Sequence, residues 1–152
     1  MAIRNIVQDG DPTLRKRCFE VTDFGEKTKS LLDDMRETLI KADGAGLAAP
    51  QVGVLRRIFI VMTEGKYYEC INPKIVAESG KQIGDEGCLS VKGKYGTVIR
   101  PMNVTVEALD RNGKPFKVKA SGFLARAFCH ENDHLDGILY TDKAIDVVSE
   151  RK

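Results

Sequence analysis

The stretch SGFLARAFCHENDHLDG, residues 121–137, decides how the chain is read. Ser121 is expected to cap a helix running from about Phe123 to Leu135, with Gly137 stopping it. The chain's only two histidines, His130 and His134, lie in this stretch with Glu131 between them. Residues four apart share a helix face, so both imidazoles can reach one metal ion. Glu131 then stands where a general base for metal-bound water belongs. Only about 1 in 80 placements of two histidines in a chain of this length has that spacing. The bland alternative is a solvated helix carrying two incidental histidines.

A catalytic site of this type needs a third protein ligand and an open fourth position. Downstream, Gly137 fits one zinc-protease pattern, but Tyr140 stands where its third histidine belongs. The sole later glutamate is Glu150, in the terminal tail. The third ligand is therefore expected upstream. Cys88, between a polar glycine-bearing loop and the apolar Leu89, is the best candidate, because a thiolate suits a soft or borderline ion. Cys18 and Cys70 read as small buried apolar residues. Cys129 points about 100° away from His130 on the helix and is assigned to packing.

Working outward, Asp11-Pro12 opens a short helical turn. A helix from about Glu26 to Ala42 carries Leu31, Leu32, Met35, Leu39 and Ala42 on one stripe, with Gly44 just past its end. Residues 44–53, small and uncharged, read as a shaped loop. Strands are expected at Arg57–Thr63, Tyr67–Ile71, Ile75–Ser79, Asn103–Leu109 and Phe116–Ala120, the last two joined by a turn at Asp110–Gly113. Helix, strands, helix with hairpin links indicates an α+β class. The 152 residues suit one domain; 24 Lys+Arg against 22 Asp+Glu leave a net charge of +2. So weak a balance gives no argument for a nucleic-acid or anionic-membrane partner. The N-terminal Met1–Asn5 lacks the apolar stretch of a signal peptide, and four cysteines without a CxxC pattern fit reduced thiols in the cytoplasm.

Three segments together, GAGLAAPQ (44–51), EGCLS (86–90) and HENDH (130–134), resemble the signature motifs of peptide deformylase, in that family's order and at compatible spacing. The likeness continues through Asn72-Pro73-Lys74, residues 110–114 and residues 124–127, and so covers nearly the whole chain. The resemblance implies an α+β fold of antiparallel sheets packed around a C-terminal metal-binding HExxH helix, with an N-terminal helix, as one catalytic domain over residues 1–152. It implies hydrolysis of the N-formyl group from the formyl-methionine of nascent peptides in the bacterial cytoplasm, with release of formate. Cys88, His130 and His134 become the ligands of one divalent ion. Fe²⁺ is expected by resemblance, with Zn²⁺, Ni²⁺ or Co²⁺ able to occupy the site; ligand softness alone would suggest zinc. Metal-bound water is the implied nucleophile and Glu131 the base and then the acid. The Gln51 side-chain amide and the Leu89 backbone N–H are the implied oxyanion donors.

For Gln51 the bland alternative is a glutamine that tethers its loop. Phe123 and Ala127 share the helix face of His130 and His134 and are candidates for the wall of a methionine pocket; pure core packing is the competing reading of Phe123. Ala45, Gly46, Glu86 and Gly87 are expected to shape the cleft, with substrate backbone pairing near Gly46. Arg126 can reach the cleft mouth, although a solvated surface arginine is the simpler reading. Asp133 reads as a supporting carboxylate rather than a catalyst. Two positions depart from the family's habit: Cys129 stands where glutamine is common, and Lys92 where proline is common. A monomer without membrane contact is expected, and the short run after the helix lends little support to ribosome contact. The competing functions are another metal-dependent amidase or peptidase, and a noncatalytic domain around a structural ion.

Overall fold

The computed structural model describes residues 2–149. Glu150, set aside above as a ligand, lies outside them. Asp11 accepts from the Thr13 N–H at 2.9 Å and opens a 3₁₀ turn at Pro12–Arg15. Helix α1 spans Glu26–Ala42, the range its periodicity predicts. Its left-handed stop is Asp43, at φ 56°, rather than Gly44; aspartate tolerates that conformation.

The segment read as a loop is more ordered than expected. Gly46–Ala48 forms an edge strand, β1, followed by a 3₁₀ turn at Ala49–Val52. It pairs antiparallel with β2, Ile58–Thr63. The two short strands expected next are one long strand, β3, Lys66–Ser79, irregular between Ile71 and Lys74 and again between Ile75 and Ala77. At the first irregularity Asn72 takes φ 50°, and its amide clamps both the N–H and the C=O of Val21. A hairpin of β4, Gln82–Cys88, and β5, Val91–Arg100, replaces the expected polar loop before Cys88. Strands β6, Asn103–Leu109, and β7, Pro115–Ser121, form the expected hairpin. Helix α2, Phe123–His134, and a short strand β8, Asp146–Ser149, complete the described chain. Neither helix is long and apolar enough to cross a membrane.

The strands form a five-stranded sheet, β1-β2-β3-β6-β7, and a three-stranded sheet, β4-β5-β8, with every pairing antiparallel. Strand β2 explains how the large sheet is packed. Its Ile58 and Ile60 meet Leu31, Leu32, Met35 and Leu39 of α1, while Phe59 and Val61 join Leu124, Ala125 and Phe128 of α2. Successive side chains of a strand face opposite ways, so a continuous apolar run here means burial on both faces. The Phe128 ring completes the α2 side, with centroids 6.0 Å from Phe59 and 5.4 Å from Tyr68.

Helix α2 does not start as expected. Gly122, at φ 62° and ψ −130°, takes the cap position without a side-chain bond. Ser121 instead donates its hydroxyl to Asn103 Oδ1 at 2.7 Å. At the other end the Arg57 guanidinium donates to the Leu135 carbonyl at 3.0 Å and to Asp136, a cation where the helix dipole is negative. Gly137, at φ 75°, turns the chain away as predicted.

The small sheet depends on a close approach at Gly96. A Cβ there would lie 2.5 Å from the carbonyl oxygen of Asp146, and backbone cannot swing aside as a side chain can. Gly96→Ala is therefore expected to force β8 off β5 and destabilise the fold by about 1–3 kcal/mol. Urea unfolding together with amide exchange at residues 146–149 checks this, and an unchanged midpoint with intact protection contradicts it.

Candidate active site

Helix periodicity turns His130 and His134 away from the sheet-packed face of α2, while Glu131, seven residues after Leu124, lies at the edge of that face toward β1. The two imidazole centroids lie 5.0 Å apart at 73°. The small sheet supplies the facing wall. On β4, Glu86 and Cys88 are two residues apart and so share a face; Glu86 pairs with Gly96 and Cys88 with Val91 across an irregular ladder. Cys88 Sγ stands 3.4 Å from His134 Nε2, and one ligand atom from each of Cys88, His130 and His134 lies within 4.8 Å of the others.

Hydrogen bonding determines how His130 presents itself. The Glu86 carboxylate accepts from Arg100 Nε at 2.8 Å, Arg100 Nη2 at 2.9 Å and Arg126 Nη1 at 2.6 Å. Burial works to raise the Glu86 pKa, but Arg100 and His130 hold it well below the usual carboxylate range. An ionised carboxylate can only accept, so His130 Nδ1, 2.8 Å from Glu86 Oε1, is the donor. Its Nε2 is left to face the cluster. Burial keeps His134 neutral, its pKa well below the ordinary histidine value, and the charge of His130 works in the same direction. For His130, burial is overridden by Glu131, Cys88 and Glu86, and its pKa lies well above 6.5. A cysteine sulfur, two inward ring nitrogens and surrounding carboxylates fit a divalent cation in that place.

Glu131 is buried against β1. A Cβ on Gly46 would meet Glu131 Oε2 at 2.5 Å, so a side chain at 46 would push this carboxylate from its place. Burial pushes the Glu131 pKa up to about 7 despite His130. Its Oε2 lies 3.9 Å from His130 Nε2. Gln51 is 1 % exposed, and its amide has a defined direction. The side-chain oxygen accepts from the Ala48 N–H at 2.9 Å, which turns Nε2 toward Ser90 Oγ at 3.0 Å and Cys88 Sγ at 3.4 Å. Gln51 therefore tethers its loop through one end and faces the cluster with the other.

A cavity of about 180 Å³ opens onto these groups. Ala45, Gly46, Gln51, Glu86, Gly87, Cys88, Leu89, Phe123, Arg126, Ala127, His130 and Glu131 all border it, whereas His134, the remaining expected site residue, does not. Phe123 is half exposed rather than a core residue. Arg126 corrects the surface reading: it is 5 % exposed, and its guanidinium points inward to Glu86. Cys129 lies in the core shared with the large sheet, as assigned, and burial raises its thiol pKa to about 11. Lys92 is exposed. Asp133 supports the site from behind, accepting from Arg100 at 2.7 Å and from Lys143.

Three contributors escaped the sequence reading. Arg100, 3 % exposed, holds Glu86 through two bonds; reading β5 as a strand would have placed it inward with Gly96 and Val98. Ser90 sits within the EGCLS motif and receives Gln51. Gln8 donates to the Leu89 carbonyl at 3.0 Å and straps the N-terminal segment over that turn; nothing in the local sequence around Gln8 marks it.

The polypeptide deformylase family model matches residues 3–150. The peptide deformylase of Halothermothrix orenii is 52 % identical over 152 residues, covering 99 % of each chain, and that of Acetivibrio thermocellus is 52 % identical over 150, covering 99 % of this chain and 88 % of that one. Among solved structures, the Thermotoga maritima peptide deformylase superposes with a TM-score of 0.94 at 35 % identity, covering 96 % of this chain and all of that one. The Ehrlichia chaffeensis enzyme in complex with actinonin gives 0.92 at 40 %, covering 94 % and 89 %. Motif order, fold and whole-length similarity agree, and the chain belongs to the polypeptide deformylase family of metal-dependent hydrolases.

Proposed function

We propose that this chain, acting as one catalytic domain over residues 1–152, removes the formyl group from the N-terminal formyl-methionine of nascent peptides in the bacterial cytoplasm and releases formate. The observation that carries the reading is the convergence, around one 180 Å³ cavity, of Cys88 and His130 from the Cys/His/His cluster, the buried carboxyl of Glu131 and the directed amide of Gln51. A divalent ion held by Cys88, His130 and His134, Fe²⁺ by family habit, supplies Lewis acidity and acidifies water.

The chain's own groups supply the rest. Glu131, with its pKa near neutrality, takes a proton at Oε2 and returns it to the leaving amine. Gln51 Nε2 and the Leu89 N–H face the oxygen on which negative charge develops. The methionine side chain enters between Phe123 and Ala127, while the backbone around Gly46, on the edge strand β1, offers pairing to an extended peptide. Two observations weigh against a purely structural ion. Among the described residues three ligands converge rather than four. Glu131 Oε1 is also buried beside them without a hydrogen-bond partner.

Anaerobic protein loaded with Fe²⁺ should release formate from formyl-Met-Ala-Ser, and no release from folded, loaded protein would reject the reading. One equivalent of Co²⁺ should bind with a thiolate charge-transfer band that Cys88→Ala abolishes; a band that survives removes Cys88 from the ligand set. Glu131→Gln should keep the ion and lower kcat by about 10²–10⁴-fold. Gln51→Ala should lower kcat by about 10²–10³-fold. Near-wild-type turnover in either variant would withdraw the corresponding role.

A further inference from the structure

The Glu86 carboxylate receives four donors. Oε1 accepts from His130 Nδ1 and Arg100 Nη2, and Oε2 accepts from Arg100 Nε and Arg126 Nη1. Arg100 alone grips both oxygens, so a second guanidinium is not needed to satisfy Glu86. Arg126 is nonetheless buried, and its Nη1 also lies 3.1 Å from the Val98 carbonyl. Gly84 makes room for it: a Cβ there would come within 3.1 Å of Arg126 Nη2. A buried cation is unfavourable unless its partners compensate it. Here the compensating partner is Glu86 itself, 2.6 Å from Arg126 Nη1, in a layer where Asp133 is matched by Arg100 and Lys143.

We infer that Arg126 is a positioning residue that acts through Glu86 on His130: by occupying the outer lone pair of Oε2 it stops the carboxylate from turning, and so keeps Oε1 on His130 Nδ1. This inference rests on the proposed metal site. The residue has two parts with separate tasks. Its stem borders the cavity, while its head holds the carboxylate that fixes the tautomer and direction of a ligand. A residue that only walled the pocket would affect substrate binding and leave the ion unchanged.

The test uses the full chain loaded with Co²⁺. Arg126→Met retains the stem and loses the donor. It should shift the cobalt absorption in the direction seen for Glu86→Gln and speed cobalt release to a chelator by about 10–100-fold. The KM for formyl-Met-Ala-Ser should stay within about twofold while kcat falls. Because Arg126 acts through Glu86, adding Arg126→Met to Glu86→Gln should change cobalt release no further. Arg126→Lys keeps the charge with a single donor group and should release cobalt at an intermediate rate. It carries the test if the Met variant does not fold.

A wild-type spectrum and release rate with a raised KM would overturn the inference, as would additivity with Glu86→Gln or wild-type cobalt release from Arg126→Lys. Failure of the functional reading is separable. Wild-type protein that holds cobalt but releases no formate when loaded with iron would reject deformylation, and the release rates would still decide the role of Arg126.

Discussion

The structure depends on burying α2 on every side. One side of the helix is apolar and fits the large sheet through Leu124, Ala125 and Phe128. The other carries His130 and His134, with Glu131 at the boundary between the two, all at most 9 % exposed. A polar helix face withdrawn from water is unfavourable unless every group on it is matched. The small sheet provides several of those matches, while Glu131 Oε1 and His134 Nδ1 stay buried without a hydrogen-bond partner. Glu86 receives His130, Arg100 bridges Glu86 to Asp133 on the helix, and Cys88 closes on His134. The two sheets are thus held together by hydrogen bonds and charge as much as by apolar contact. The same polar layer prepares a metal site.

That arrangement explains what the sequence could and could not reveal. α1 was legible to the residue because four apolar side chains at helical spacing face β2, and nothing functional interferes with the pattern. The β6–β7 hairpin was legible from its alternation and its Asp110–Gly113 turn. The β4–β5 hairpin was not, because its pattern is inverted. Glu86 and Arg100 point inward while Ile83 and Ile99 are exposed. A rule that sends apolar residues inward fails where the inward face serves a polar helix. β8 has no buried residue at all. Strand β1 consists of Gly46, Leu47 and Ala48, and the glycine that suggested a loop is the residue that admits Glu131.

The site was legible in its motifs and less so in its supports. His130, His134 and Cys88 announce themselves by type and spacing, and the structure brings their ligand atoms together. Arg126 was misjudged because arginines are usually solvated, a prior that ignores the burial of the helix it sits on. Gln8 acts from 81 residues away on the Leu89 turn, a relation that no local pattern encodes. What is lost in reading from sequence is therefore the layer that orients the reactive groups, since long-range pairing creates it and residue type does not.

The Cys/His/His cluster itself is divided between two structural units. Cys88 belongs to the small sheet, and the histidines belong to the helix seated in the large one. An ion bound by all three is a cross-link between them, so its binding free energy also opposes their separation. Glu86 and Arg100 make the same connection through charge. Gln51, held by the Ala48 N–H at one end and facing Ser90 and Cys88 at the other, joins the two units from the β1 side. The burial that makes α2 costly to fold is thus the same burial that sets the Glu131 pKa near neutrality. In this chain, the cohesion of the polar layer and the near-neutral pKa of Glu131 are two consequences of one packing arrangement.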